Sequence, residues 1–267
     1  MNAMHYLRGF LGILTREALR FLQQRERFLA ALVRPLIWLL VFAAGFRAAL
    51  GIAIMAPYET YIPYEVYILP GLIGMIQLFN GMQSSLSMVY DREMGSMRTL
   101  LVSPLPRWYL LICKLAAGTF VSILQVYAFL GIVFLFGIET PLLGYFTILP
   151  ALILSGLMLG ALGLLFSSVI HQLENFAGIM NFVIFPMFFL SSALYPLWKM
   201  RESSVLLYEI CRFNPFTHVV EMIRFALYGD FNPWAIAITL GCFALFMGMA
   251  VLGYDPARGM MQRKGGV

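Results

Sequence analysis

The sequence predicts an all-α membrane protein in which six transmembrane helices follow an amphipathic N-terminal helix. Hydrophobic residues make up 61% of the 267-residue chain, and charged residues make up only 12%. The mean hydropathy of +0.84 exceeds that of soluble domains. The apolar residues fall into six stretches of about the length that crosses a bilayer. Neither length nor composition divides the chain, so residues 1–267 are expected to form a single transmembrane domain.

Residues 1–27 predict a helix that lies in the membrane interface. Leu7, Leu11 and Leu14 recur on one helical face, whereas Arg8 and Arg16 lie largely elsewhere. Such a helix places its apolar side at the acyl boundary and its arginines among the headgroups. An ordinary cytosolic helix is the alternative.

The second predicted span is less apolar than its neighbours. It contains Gln77, Asn80 and Gln83, whose amides are costly in lipid and should face other helices or a cavity. Hydrogen bonding between helices and contact with a translocated substrate are both open, so these three residues are candidates for a translocation path. The six spans are expected at about residues 28–50, 67–90, 115–136, 145–170, 176–197 and 233–254.

Two further features of the spans have structural explanations. Arg34 and Arg47 lie near the two ends of the first span, where long side chains can snorkel out of the hydrocarbon. Gly156, Gly160 and Gly163 in the fourth span have the spacing that permits close helix packing.

A charged stretch, Asp91–Lys114, separates the second and third spans. Asp91 and Glu93 suit the first turn of a helix, because carboxylates favour its positive end, and Ser96 can cap exposed N–H groups. An amphipathic run follows and stops at Pro104. The stretch therefore predicts a short helix against a membrane face, with an ordinary polar loop as the alternative.

Two amphipathic pieces are expected between the fifth and last spans, at about residues 203–212 and 217–228. The dipeptide Asn214-Pro215 between them is a strong turn signal. Glu221 and Arg224 are three residues apart on one helical face, which favours a local ion pair over direct contact with a substrate.

The basic residues predict the orientation. If the N-terminus is cytoplasmic, twelve of the 18 Lys and Arg residues lie in internal segments and only four in external ones. The positive-inside rule then places both termini in the cytoplasm. The loop at residues 51–66 has tyrosines and no Lys or Arg, as expected of an external loop with an aromatic belt.

The sequence lacks the motifs of several kinds of catalytic and metal site. None of the three lysines follows Gly and precedes Ser or Thr, so the chain has no phosphate-binding P-loop. HExxH and GxSxG motifs are also absent, and the three cysteines show neither CxxC nor metal spacing. We therefore expect no catalytic residues and no metal site. The clustering of basic residues beside apolar spans argues against nucleic-acid binding.

Two sequence motifs stand out in the charged stretch and before the last span. The first is an acidic residue, then Gly-Ser, Leu-Leu-x-Ser-Pro-Leu and a later Lys, and the second is Asn-Pro-Phe-Thr followed by Glu, Arg and Gly. The residues that carry the two motifs are Glu93, Gly95, Ser96, Leu100, Leu101, Ser103, Pro104, Leu105 and Lys114, and Asn214, Pro215, Phe216, Thr217, Glu221, Arg224 and Gly229. The first motif resembles the first cytoplasmic loop of the ABC-2 type exporter permeases, and the second resembles the segment before the last span of that family.

The resemblance implies a permease subunit of an ATP-driven exporter in the bacterial inner membrane. It implies two partner ATPase subunits that bind ATP and Mg, a pair of permeases that is often a homodimer, and no cofactor on this chain. It also implies that the pieces before the last span are external or re-entrant helices. The first loop would be a cytoplasmic coupling helix on the ATPase, formed by Asp91, Arg92, Glu93, Gly95, Ser96, Arg98, Leu100, Leu101 and Pro104.

Two other classes of protein remain as alternatives. A six-span secondary transporter or channel would need buried ionisable residues along an ion path, and the spans offer only the amides of the second one. A membrane enzyme would need a nucleophile with its base. The sequence does not specify the substrate.

Overall fold

In a computed structural model, the chain is described over residues 3–23, 25–46, 55–58, 61–93, 106–138, 140–170 and 172–253. Every regular element in these segments is an α-helix, as the predicted fold class requires. The helices are α1 (Ala3–Gln23), α2 (Arg25–Phe46), α3 (Tyr64–Glu93), α4 (Arg107–Leu135), α5 (Gly144–Val169), α6 (Leu173–Phe189), α7 (Leu197–Ser203), α8 (Val205–Phe213), α9 (Pro215–Leu227) and α10 (Pro233–Gly253).

Helices α3 and α5 form the centre of the molecule. Helix α3 packs against α2, α4, α5, α6 and α9, and α5 also packs against α4, α9 and α10. Every residue of α3 from 66 to 79 is buried. A helix covered on all sides can carry polar groups without exposing them to lipid, which explains why the second predicted span is less apolar than the others.

Glycines allow α3 and α5 to approach closely. A Cβ atom on Gly81 would lie 2.9 Å from the carbonyl oxygen of Leu159, and a Cβ on Gly163 would lie 2.7 Å from the carbonyl oxygen of Gly81. Both distances are too short for a side chain. The packing role predicted for the glycines of the fourth span is therefore confirmed for Gly163.

Three of the described helices are long and apolar enough to cross a membrane: Trp108–Leu135, Gly144–Val169 and Pro233–Gly253. They coincide with the third, fourth and sixth predicted spans. The first predicted span contains the shorter apolar helix Ala31–Phe42, and the fifth overlaps the shorter apolar helix Leu173–Phe189. The second corresponds to the 30-residue helix α3.

Two predicted span boundaries are wrong. Helix α4 begins at Arg107, well before residue 115, because Pro106 has the backbone conformation of a residue that precedes a first turn. Lys114 therefore lies inside α4, where it is buried. Helix α6 ends at Phe189 rather than near residue 197, because the following backbone carbonyls bind side chains of α3 and α9.

The N-terminal helix α1 packs on α4 and α2. The hydroxyl of Tyr109 donates a hydrogen bond of 2.7 Å to the carbonyl of Tyr6, and the two rings meet edge to face at 4.9 Å. The side chains of Leu7 and Leu11 stay half exposed. This helix thus offers an uncovered apolar face, as a helix in the membrane interface needs.

Candidate functional site

The predicted coupling residues lie at and beyond the end of α3. Asp91, Arg92 and Glu93 form its last turn, so the prediction that Asp91 begins a separate helix is wrong. The helix continues because Met88 and Val89 still pack inside and no glycine or proline occurs between residues 82 and 94. Outside the described residues lie Gly95, Ser96, Arg98, Leu100, Leu101 and Pro104.

The Asn-Pro-Phe-Thr motif joins three helices. Pro215 occupies the first turn of α9, and the side-chain oxygen of Asn214 accepts a hydrogen bond of 3.0 Å from the backbone N–H of Phe216. The amide nitrogen of Asn214 donates to the carbonyls of Met187 and Leu190 at 2.8 and 2.5 Å. One side chain therefore caps the start of α9 and satisfies carbonyls at the end of α6.

The next two residues of the motif are buried. The hydroxyl of Thr217 donates a hydrogen bond of 2.6 Å to the carbonyl of Cys211 in α8. The ring of Phe216 lies 6.2 Å from that of Phe188 and close against Gly74 of α3. This packing fixes α9 between α3, α6 and α8.

Arg224 lies at the centre of a buried polar cluster on α9. Its side chain is fully buried and forms an ion pair with Glu221, so the predicted pair is confirmed. Its second terminal nitrogen donates a hydrogen bond of 2.9 Å to the carbonyl of Ser192, and its guanidinium carbon lies 4.3 Å from the centre of the Tyr67 ring. The ion pair is therefore inside the helix bundle, with a cation–π contact to α3.

Tyrosines surround this pair, although the sequence predicted that residues 51–66 form an external loop with an aromatic belt. Tyr67 donates a hydrogen bond of 3.0 Å to the same Ser192 carbonyl, and Tyr64 donates one of 2.9 Å to the carbonyl of Leu194. Tyr58 is also buried and packs edge to face on Tyr228 at 4.9 Å. The aromatic-belt prediction is therefore wrong for Tyr58 and Tyr64, because their hydroxyls lie inside the protein.

Tyr58 lies outside the predicted membrane spans, and burial determines the ionisation of its phenol. Burial raises the pKa of the Tyr58 phenol, although the positive charge of Arg224 acts in the opposite direction. The phenol therefore stays neutral at physiological pH.

Sequence reasoning missed the contribution of Tyr58 and Tyr67 to the cluster, since their spacing from residues 221–224 carries no local signal.

The polar residues of the second predicted span lie in two environments. Gln77 is fully buried: its amide nitrogen donates a hydrogen bond of 3.1 Å to the carbonyl of Leu152 in α5, and its oxygen accepts one from Ser122 in α4. Asn80 donates a hydrogen bond to Gln125 of α4. Gln77 and Asn80 thus link three helices, whereas the partly exposed Gln83 makes no hydrogen bond within the described residues.

The described part of the chain contains no group of three or more His, Cys, Asp or Glu residues that could hold a metal ion. Cys113, Cys211 and Cys242 are all free thiols.

Comparisons with known proteins point to one family of membrane transporters. Residues 8–228 match the model of a family described as ABC-2 type transporter. A relative from Escherichia coli K12, named a probable multidrug ABC transporter permease, YbhR, is 31% identical over 174 residues, which are 62% of this chain and 45% of the relative. Another, from Pyropia yezoensis, bears the name of a transport permease, ycf38, and is 28% identical over 83% of this chain and 74% of its own length. Nodulation protein J of Rhizobium leguminosarum bv. viciae is 24% identical over 79% of this chain and 80% of its own length.

Proposed function

Because the chain belongs to the ABC-2 type transporter family, we propose that it is the permease subunit of an exporter driven by ATP hydrolysis on a separate ATPase subunit. The match to residues 8–228 is the observation that carries this proposal, since it covers the first motif, the second motif from Asn214 to Arg224, and the helices between them. The sequence has no P-loop of its own, so ATP and Mg would bind to the partner.

Helix α3 supplies the mechanical link that the proposal needs. It runs without interruption from Tyr64 to Glu93, and its central part is packed on every side. A displacement of residues 91–93 by the ATPase would therefore be passed along α3 to the packed centre of the permease. Asp91, Arg92 and Glu93 would dock on the ATPase as the first part of the coupling segment.

The energetic demand on this contact is moderate. ATP binding can move a permease between inward-facing and outward-facing states only through contacts that differ between those states. Moving that equilibrium from 1:99 to 99:1 takes roughly 5.5 kcal/mol of differential binding. A docked segment supported by closure of the ATPase pair can supply this amount.

The remaining features of the proposal concern assembly and topology. We infer a complex of two permease copies and two ATPase copies in the bacterial inner membrane. Helices α2, α3 and α6 would complete six spans together with α4, α5 and α10. Both termini would be cytoplasmic, α1 would lie in the interface, and α7, α8 and α9 would be external or re-entrant.

Co-purification tests the coupling directly. We would express the chain together with the reading frames that flank its gene and ask whether a P-loop ATPase is retained in detergent. The Glu93→Arg variant should lose that ATPase, because it reverses a charge in the proposed docking surface. The Glu202→Arg variant is the matched control, since Glu202 is an exposed acid on α7, on the opposite side of the proposed topology.

The same co-purification experiment can also contradict the proposal. Retention of the ATPase by Glu93→Arg to the same extent as by the wild type would exclude this coupling site. If the chain purifies without any ATPase and an ion gradient alone still drives solute transport, the protein is a secondary transporter rather than the permease of an ATP-driven exporter.

A further inference from the structure

A cleft lies between α2 and α3, away from the buried Arg224 cluster. Arg34, Phe79, Asn80 and Gln83 are among the residues that line it, and none of the described lining residues is acidic. The guanidinium carbon of Arg34 lies 3.8 Å from the centre of the Phe79 ring. The cleft therefore places a positive charge beside an apolar helix pair.

The charge of Arg34 is not neutralised by the described part of the chain. Its side chain is half-buried, and the stacking on Phe79 is its only polar or electrostatic contact among the described residues. A cation at this depth is costly unless an anion or several hydrogen-bond acceptors reach it. A cation–π contact offsets only part of that cost.

The cleft also offers hydrogen-bond donors beside the charge. Gln83 is partly exposed and makes no hydrogen bond within the described residues, so its amide nitrogen can donate to a ligand. Asn80 is held in place by its bond to Gln125. The planar fork of Arg34 matches the oxygens of a phosphate, and a phosphate has enough oxygens to accept from Gln83 at the same time.

The surroundings of Arg34 favour a ligand with alkyl chains. Val33 and Ile37 on the same helix are 48% and 54% exposed, and Ile37 lies one turn from Arg34. In the proposed topology α2 spans the membrane, so this apolar surface faces lipid chains, and a ligand that reaches Arg34 from this side is an amphiphile rather than a free inorganic ion.

We propose that this cleft binds the phosphate group of an amphiphile, with Arg34 and Gln83 on the phosphate and the alkyl chains along Val33 and Ile37. The amphiphile is either a membrane phospholipid or a transported molecule with the same chemistry. The alternative role for Arg34 is simple anchoring at the membrane surface, which requires no bound ligand.

Native mass spectrometry of the purified full-length chain in dodecyl maltoside tests the site without any ATPase. The probes are dodecyl phosphate, phosphatidylglycerol and inorganic phosphate. We expect the wild type to bind at least one of the two amphiphiles and to bind inorganic phosphate at least tenfold more weakly. Binding should fall about tenfold or more in Arg34→Ala, because hydrogen bonds to a charged group are lost.

Two further variants separate this site from a general charge effect. Gln83→Leu should weaken binding by a smaller factor without removing any charge. Arg201→Ala should leave binding unchanged, since Arg201 is an exposed arginine that also lies over an aromatic ring, with its guanidinium carbon 5.7 Å from the centre of the Tyr208 ring.

The outcomes also distinguish the two sources of the ligand. Binding of phosphatidylglycerol alone would identify a lipid site, whereas equal or tighter binding of dodecyl phosphate would indicate a site for single-chain cargo. Equal binding by the wild type, Arg34→Ala and Gln83→Leu would overturn the proposal. Equal losses in Arg34→Ala and Arg201→Ala would overturn it too, because net charge would then explain the binding.

Discussion

At the scale of single residues, Arg224 shows how a charge can be held inside the helix bundle. Its guanidinium has Glu221, the Ser192 carbonyl and the Tyr67 ring around it. Removing one partner of a buried ion pair leaves the other charge without compensation. The Arg224→Met variant should therefore lower the free energy of unfolding by about 3–5 kcal/mol, measured by denaturation in detergent.

Two control variants test whether the loss of stability comes from an unpaired charge and from the burial of the ion pair. The double variant Glu221→Gln with Arg224→Met should be more stable than Arg224→Met alone, since no unpaired charge remains. Arg212→Ala breaks an exposed pair with Glu209 at 3.8 Å and should cost about 1 kcal/mol or less. Equal losses in Arg212→Ala and Arg224→Met would show that burial of the pair does not matter.

At the scale of helices, the crossing of α3 and α5 depends on the absence of side chains at Gly81 and Gly163. Gly81→Ala would place its Cβ 2.9 Å from the backbone of Leu159, so the two helices would have to separate. We expect a loss of about 1–3 kcal/mol in the free energy of unfolding, as for overpacking in a core.

The matched control for that prediction is a glycine in open space. A Cβ on Gly131 of α4 would meet no atom within 4 Å. Gly131→Ala should leave stability unchanged or raise it by up to about 1 kcal/mol, because alanine has the higher helix propensity. Thermal unfolding of both variants in the same detergent compares them, and equal effects would contradict the packing argument.

At the scale of the whole molecule, the proposed topology places α1 and α7 on opposite sides of the membrane. Arg16 and Glu202 are exposed positions on these helices. In intact cells, a membrane-impermeant maleimide should label Glu202→Cys at once and Arg16→Cys only after permeabilisation. The wild-type chain, with its three native cysteines, measures the background. Labelling of both positions from the same side would exclude the six-span arrangement.

Much of this architecture could be predicted because it depends on local patterns. The apolar runs correspond to α4, α5 and α10, and the turn signal at Asn214-Pro215 separates α8 from α9. Composition and helical periodicity are sums over neighbouring residues, so no distant contact is needed to read them.

The boundaries were harder to predict because distant side chains set them. Helix α6 stops early where Asn214 and Arg224 bind its final carbonyls and the backbone that follows. Helix α3 continues past Asp91, although its charges suggested a new start. A carboxylate suits the first turn of a helix, but packing of the preceding turn decided the outcome here.

The sequence by itself determined the membrane class, the helical content and the pairing of Glu221 with Arg224, because each follows from residues close together in the chain. Only the tertiary structure decided that this pair is buried beneath Tyr67 and that Gln77 joins three helices. It also left Arg34 beside a cleft in which no described lining residue is acidic. These outcomes depend on which helix faces pack together. That packing depends on how all the helices bury their surfaces, and no single local segment determines it.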